Sequence, residues 1–515
     1  MNKITILDTT LRDGAQGAGV HYSLEDQVQI SRHLDDFGVD FIELGQMADG
    51  EEGSGLFKRL TDLKNAKLTI FGSTMRKGGQ PQADAGLMRL VTADTPAVTI
   101  FGKSWKLHVS EVLRCELDEN LRLVEQSCAY LKCGGKLVIF DAEHFFDGYL
   151  DDPEYASEVL RAAKRGGADI MTLCDTNGGL LPDQVQEIVR DINREFNGPI
   201  GVHFHNDSGM AAANSVLSVL EGACHIQGTI GGLGERCGNA DLIQVIAGLQ
   251  IKRGIRCLPP ESLPKMSRLA RTIAEISNVN IFQGTPYVGN NAFRHKAGMH
   301  VDGMLKNTKT FEHIDPGEVG NERRFLPSGI SGRALLLHYT KQLEQNFEKD
   351  SPELTAIMAE IKEKNEQGYL YEAAEASFEL LVWKHIGRYR KLFDLVMLKA
   401  FSEHPQAGGG ASVLIRIRVD DKETLSAGQG KGPVHALDNA LAGALKKFYP
   451  MVEHIHLIDY KVRVLNSRQA TAAQVRVLIT STDGKSIWTT AGVSEDIILA
   501  SWQALSSSIE YALLK

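Results

Sequence analysis

Short apolar runs recur through roughly the first 255 residues, spaced about 25–40 residues apart. They are "ITILD" (4–8), "DFIEL" (40–44), "LTIFG" (68–72), "AVTIF" (97–101), "LVIFD" (137–141), "DIMTL" (169–173), "IGVHF" (200–204) and "HIQGT" (225–229). Several are apolar almost throughout, as expected of strands covered on both faces. Between most of them the polarity follows a helical period. In "SLEDQVQISRHLDDFG" (23–38), Ser23 is the expected N-cap, Val28, Ile30, Leu34 and Phe37 form the apolar stripe, and Gly38 terminates it. "DDPEYASEVLRAAKRGG" and "LPDQVQEIVRDINREFNG" repeat that design. Eight strand–helix units predict an α/β fold of the closed parallel (β/α)8 TIM-barrel type over residues 1–257. An open doubly wound sheet is the alternative. Neither GxGxxG after the first strand nor GxxxxGK[ST] anywhere supports it.

Beyond residue 257 the pattern changes. Residues 258–400 read as a linker region with helical subdomains: a helical piece, then the loop-rich "GTPYVGNNAFRHKAGMHVDGMLKN", then a charged helical stretch over 346–375. "HPQAGGGA" (404–411) reads as a turn or linker. Residues 401–515 are expected to form a C-terminal α+β domain with an internal echo. "SAGQGKGPVHALDNALAGAL" aligns with "TAGVSEDIILASWQALSSSI", each preceded by alternating strand patterns such as "SVLIRIRV" and "AQVRVLIT". Both segments place Ala-Gly before a helix start.

The chain has 515 residues, 43% hydrophobic and 23% charged, with a formal net charge of −9 and no Lys/Arg block, so neither nucleic acid nor an anionic membrane surface is an expected partner. No apolar run approaches the ~20 residues of a membrane span. Seven scattered cysteines without a CxxC pair predict reduced thiols and a cytoplasmic protein.

In such a barrel the chemistry gathers at the C-terminal ends of the strands. The first strand ends in Asp8, Arg12, Asp13 and Gln16, and the second in Glu43. The fifth ends in Asp141, Glu143 and His144, and the sixth in Asp175, Thr176 and Asn177. The eighth runs into Glu235, Arg236 and Asn239. In the seventh, His203 and His205 stand two apart and so share a face. Carboxylates and imidazoles converging on one rim need partners, and a divalent cation (Mg2+, Mn2+, Co2+ or Zn2+) suits a mixed N/O set. A hydrogen-bonded structural histidine pair is the plainer reading of HxH alone. Arg12–Asp13 as a local ion pair, Glu143 as an orienting group and Thr176 as a turn residue are the plainer readings of those positions. His144 and His295 read as satisfied or surface histidines, Cys174 and Cys237 as buried inert thiols, and Met299 and Met304 as packing residues.

"DTTLRDGAQ", "DAEHFFDGY", "LCDTNGG", "HFHNDSGMAAANS", "GERCGNA", "HKAGMHVDGMLKN" and "GEVGNERR" resemble the citramalate synthase branch of the 2-isopropylmalate/homocitrate synthase family, and "GPVHALDNAL" and "IWTTAGVSEDIILASWQALSSSIEYALL" resemble its regulatory domain. The resemblance covers essentially the whole chain. It implies that Asp13, His203 and His205 hold a divalent metal, with Asn239 as a further ligand. It implies that Arg12 faces the developing alkoxide, Glu43 and Gln16 help hold the substrate, and Thr176 contacts the 2-oxo acid carboxylate. Glu143 and His300 are the acid/base candidates, His300 reaching in from the neighbouring subunit of a homodimer. The implied reaction is a metal-assisted Claisen condensation of acetyl-CoA with a short 2-oxo acid. Pyruvate would give (R)-citramalate and CoA, with isoleucine as effector. The alternative is 2-oxoisovalerate, giving 2-isopropylmalate in leucine biosynthesis.

Two stretches depart from the family pattern. "LGQMADGEEGSG" (44–55) stands where the family has a Pro-containing rim loop, and Phe311 stands in place of a tyrosine. Three other classes were weighed. A metal-dependent hydrolase would carry its HxH on the first strand. A C–C lyase would lack residues 400–515. A non-catalytic sensor would not need Arg12, Asp13, His203, His205 and Asn239 together.

Overall fold

The computed structural model describes residues 3–515 except 46–55, 197, 327–331, 344–346, 349, 403–409, 466–472 and 485. The rim-loop expectation over 44–55 and the linker reading of 404–411 therefore fall almost wholly outside the described residues.

Eight parallel strands close into a barrel in sequence order: β1 (Thr5–Asp8), β2 (Phe41–Leu44), β3 (Lys67–Ser73), β4 (Ala97–Lys103), β5 (Leu137–Glu143), β6 (Ile170–Asp175), β7 (Ile200–Phe204) and β8 (His225–Gly228). Closure is made by β1 on β8, from Thr5 opposite His225 to Asp8 opposite Gly228. Leu7, Phe41, Ala97, Ile139 and Ile170 form one buried cluster contributed by five of these strands. The helix Leu24–Phe37 begins with a capping box between Ser23 and Asp26 and ends at Gly38, whose φ of 90° is open to glycine at little cost. Its stripe of Val28, Ile30, Leu34 and Phe37 is fully shielded from solvent.

The barrel unit does not stop at residue 257. It takes in residues up to Phe293 and returns for Ile314–Glu322. The helix Met266–Ile276 buries Met266, Leu269, Ala270 and Ile273 in the barrel's own apolar core, and Val288, Phe293, Ile314 and Val319 join them. The composition shift at 257 marks the end of strand–helix alternation, whereas the core ends later.

The second unit holds residues 294–313 and 323–515. The loop-rich reading of 284–307 needs a correction, because Gly298–Lys306 is a helix anchored by buried Val301 and Met304. Two glycines obscured its period. Gly303 lies against the exposed Phe311 ring, which a Cβ there would meet at 2.6 Å and have to displace. The short strands β9 (Arg294–His295) and β10 (Arg324–Phe325) pair in parallel. The helices Pro352–Glu366 and Glu375–His385 pack through Leu354, Ile357, Ile361, Phe378, Leu381 and Val382.

The C-terminal echo is structural. β11 (Asp394–Ser402), β12 (Ala411–Val419) and β13 (Lys422–Gly430) form an antiparallel sheet followed by the helix Pro433–Leu445. β14 (His456–Val464), β15 (Val475–Thr482) and β16 (Ile487–Ser494) repeat it before the helix Ile497–Leu514. The first strand of each sheet carries a register shift, at Leu395/Met397 and Leu457/Asp459. The sheets therefore begin at Asp394, ahead of the boundary expected at 401. Ile497–Leu514 is long and apolar enough to cross a membrane, yet half of it is buried, with Ala500, Trp502, Ala504, Leu505 and Ile509 in the shared core of both repeats.

Candidate active site

A cavity of about 370 Å³ opens at the C-terminal ends of the barrel strands, lined among others by Arg12, Asp13, Gln16, Asp141, Glu143, Thr176, His203 and His205. The turn after β1 sets its first two residues. The backbone N–H groups of Arg12, Asp13 and Gly14 all donate to Thr9 O, at 3.1, 2.8 and 3.1 Å. Thr9 N in turn donates to Gly228 O on β8. Adjacent side chains of one turn are thereby aimed at one cavity.

Asp13, His203 and His205 each present a ligand atom within 4.8 Å of the others, and all three are buried. His203 Nε2 lies 3.2 Å from Asp13 Oδ2, and His205 Nε2 lies 4.0 Å from the same oxygen. Neither oxygen of Asp13 has a hydrogen-bond donor, and Asn239 Oδ1 is equally without one. The Asn239 amide nitrogen donates to Leu233 O at 3.0 Å, and its backbone bridges to His205. Leaving several buried acceptors unsatisfied is costly, and a divalent cation is the partner that satisfies carboxylate, amide oxygen and imidazole together. The donor set fits such an ion.

The electrostatics agree. Burial alone would raise the Asp13 carboxyl, but the Arg12 guanidinium, then His203 and His205, hold it well below the usual range. Burial and the neighbouring His203 lower His205 to about 4, so its imidazole is neutral and free to act as a ligand. His203 is different. Burial would lower it, but its contact with Asp13 more than offsets this and raises it.

Arg12 Nε donates to Glu43 Oε2 at 2.6 Å, its Nη1 lies 3.4 Å from Asp13 Oδ2, and its guanidinium carbon sits 3.9 Å from the centre of the Phe71 ring. Burial works against its charge, but the Glu43 and Asp13 carboxylates more than restore it. Glu43 corrects its expected role. It is fully buried behind the guanidinium and does not line the cavity, so it holds Arg12 rather than substrate.

Glu143 lines the cavity paired with Lys103. Thr176 does so with its hydroxyl oxygen accepting from His144 N at 2.9 Å and its carbonyl accepting from Arg236 Nη2 at 2.7 Å. Gln16 is exposed at the cavity wall. His300 belongs to the second unit, where it is exposed and stacked on Phe311 with ring centres 4.2 Å apart. His144 is paired with Asp147 at 3.1 Å and His295 with Glu312 at 3.0 Å, so both are satisfied. Cys174 is a buried thiol pushed well above its ordinary pKa by burial, whereas Cys237 and Met299 are exposed, against expectation.

Gln227 escaped the sequence reading. It lies opposite His203 in the β7–β8 register, and its Oε1 is 3.0 Å from His203 Nδ1. A glutamine inside a barrel strand next to the HxH strand is the signal that could have found it.

Three family profiles match the chain: HMGL-like over residues 3–273, "homocitrate synthase post-HMGL domain-like" over 287–369, and the LeuA allosteric (dimerisation) domain over 372–513. An (R)-citramalate synthase from Aquifex aeolicus is 47% identical over 518 residues, covering 100% of this chain and 98% of its own length. The chain belongs to the (R)-citramalate synthase family. A second member, from Geobacter sulfurreducens, is 43% identical over 100% of this chain and 98% of its own length, and one from Streptomyces coelicolor is 41% identical over 99% and 96%. Family membership covers barrel, linker region and regulatory domain alike.

Proposed function

We propose that the chain condenses acetyl-CoA with pyruvate to give (R)-citramalate and CoA, and that its C-terminal repeat pair regulates this step. The observation that carries the reading is the buried Asp13–His203–His205 cluster, with the Asp13 oxygens and Asn239 Oδ1 unsatisfied, beside a caged Arg12, in a chain 47% identical to an (R)-citramalate synthase along its whole length.

Asp13, His203 and His205 hold a divalent metal, with Asn239 Oδ1 as a further ligand. Mg2+ or Mn2+ suits this mixed set best, and Zn2+ or Co2+ also fits it. When bound, the ion supplies Lewis acidity toward the keto oxygen of the acid. The protein supplies the rest. Arg12 stays charged at any working pH and is aimed by Glu43 and Asp13, so its free N–H groups meet the oxygen on which charge grows as the new C–C bond forms. The Thr176 hydroxyl, which accepts from His144 N, keeps its own proton to donate to the acid's carboxylate. Gln16 lies within reach of the same end of the cavity. Glu143, or His300 from a partner subunit, takes the proton from the acetyl methyl group. The enolate carbon attacks the keto carbon, and water then cleaves the thioester and releases CoA. The LeuA-type domain supports a homodimer, and the implied product makes isoleucine the effector.

The test is CoA release followed by a thiol reagent. Purified protein receives acetyl-CoA, Mn2+ and, separately, pyruvate, 2-oxobutyrate, 2-oxoisovalerate or 2-oxoglutarate. Release with pyruvate well above the rest, abolished by EDTA and by His203→Ala, is expected. A preference for 2-oxoisovalerate moves the chain to 2-isopropylmalate synthesis, and no metal-dependent release with any acid refutes the reading.

A further inference from the structure

His203 can serve a cation through Nε2 only if its ring proton sits on Nδ1, and the barrel wall contains what decides that. The Gln227 amide spans three partners. One end is 3.0 Å from His203 Nδ1. The other is 2.7 Å from Asp141 Oδ1 and 3.2 Å from Thr172 Oγ1. The ionised Asp141 carboxylate only accepts, so in that form the amide nitrogen faces Asp141 and the amide oxygen faces His203. That oxygen in turn only accepts, so His203 Nδ1 carries a hydrogen, and Nε2, which faces Asp13 at 3.2 Å, is the nitrogen left for a cation. Every member stands on a barrel strand: His203 on β7 opposite Gln227 on β8, and Asp141 on β5 opposite Thr172 on β6. All four are buried. None of the roles assigned above uses Asp141 or Gln227.

We propose that Gln227, oriented by Asp141 and Thr172, is a positioning residue that fixes the His203 tautomer and ring plane so that Nε2 is ready for a divalent cation. The inference rests on the reading of Asp13, His203 and His205 as a metal site. It also explains a fully buried glutamine on a barrel strand. Outer partners of metal-bound histidines act in this way, and their loss weakens metal binding by about 10–100-fold.

The experiment uses the full chain and Mn2+, followed by electron paramagnetic resonance of the free ion, together with 15N-histidine spectra of the metal-free protein. The variants are close to isosteric. Gln227→Met removes the acceptor. Asp141→Asn can donate as well as accept, so it no longer imposes the amide's direction. The double variant Gln227→Glu/Asp141→Asn restores an acceptor at His203 and a donor to it. The single variants are expected to weaken Mn2+ binding by about 10–100-fold and the double variant to recover most of it. The parent's His203 should show the hydrogen on Nδ1. A merely space-filling role would treat the single and double variants alike. Melting curves confirm that each variant folds. The inference is overturned if Gln227→Met binds Mn2+ as the parent does, if the parent's His203 Nδ1 carries no hydrogen, or if the double variant is no better than the singles. A parent that binds no Mn2+ sinks the metal-site reading as well, which separates the two failures.

Discussion

Arg12 rests on Glu43: its Nε is 2.6 Å from a carboxylate that has no exposure to solvent, while Phe71 covers one face of the guanidinium. A flexible cation is thus turned into a fixed one before substrate arrives. Arg12→Lys keeps the charge and loses the planar fork, and kcat is expected to fall by about 10²–10³-fold. Glu43→Ala leaves a buried charge without its counterpart and should cost on the order of 3–5 kcal/mol of stability. Glu43→Gln separates aim from fold, with a smaller stability loss and a lowered kcat at unchanged KM for the 2-oxo acid. Melting curves and CoA-release kinetics on the three variants check this, and an unchanged kcat in Glu43→Gln would refute it.

The orphaned oxygens of Asp13 and Asn239 predict that metal and stability are linked. Mn2+ at about 100 times its Kd should stabilise EDTA-treated protein by roughly 2.7 kcal/mol. His203→Ala should abolish that gain, and Asn239→Ala should reduce it. A thermal-shift titration decides the matter. Equal gains in parent and His203→Ala would place the cation elsewhere.

The barrel was legible because its strands are apolar on both faces and its helices carry clear caps, as in Ser23 to Gly38. The histidine pair of the candidate metal set was legible because His203 and His205 stand two apart at a strand end, whereas Asp13 and Asn239 were named as ligands only through the family resemblance. What escaped was relational. Glu43 reads as a rim residue until the fold shows it wholly behind Arg12. Gln227 has meaning only through its register with His203. The end of the barrel unit at Phe293 depends on helix Met266–Ile276 docking into a core that no local pattern announces. The helix Gly298–Lys306 was hidden because two glycines break its apolar period, one of them, Gly303, lying against Phe311 outside it.

Asp8 predicts a pH dependence of stability. Burial raises its carboxyl to about 7, against two opposing hydrogen bonds from Thr10, with the charge of Glu43 adding to the rise. An unfolded aspartate titrates near ~3.9, so between the two values the native state holds a proton that the unfolded state lacks. The contribution is complete below the unfolded value, is lost as pH rises to about 7, and is flat above it. Asp8→Asn cannot ionise, so its stability relative to the parent should rise from pH 4 to pH 8 by something on the order of 1–4 kcal/mol. The comparison is made in EDTA, and using the difference between the two proteins removes the parallel upward shift of Asp141. A flat difference would show that Asp8 is not held neutral.

The two C-terminal repeats share one contact that explains why each carries Ala-Gly before its helix. Gly428 stands opposite Val413, and Gly492 opposite Val477. A Cβ at Gly428 would lie 2.3 Å from Ala436 O and 2.5 Å from Ala440 N, while one at Gly492 would lie 2.0 Å from Ala500 O and 2.9 Å from Ala504 N. The clash partners follow each glycine at the same offsets, and Ala436, Ala440, Ala500 and Ala504 are all fully buried. In both halves helix backbone lies directly on strand backbone, so neither glycine can gain a methyl group unless the helix lifts. Gly428→Ala and Gly492→Ala should each cost about 1–3 kcal/mol, an overpacking penalty with no flexible side chain to absorb it. Because the helices share one core with both sheets, either variant should also weaken the proposed isoleucine inhibition while leaving uninhibited kcat near that of the parent. Melting curves and isoleucine titrations of the two variants test this. Unaltered stability in both would mean that the strand–helix approach is looser than these contacts require.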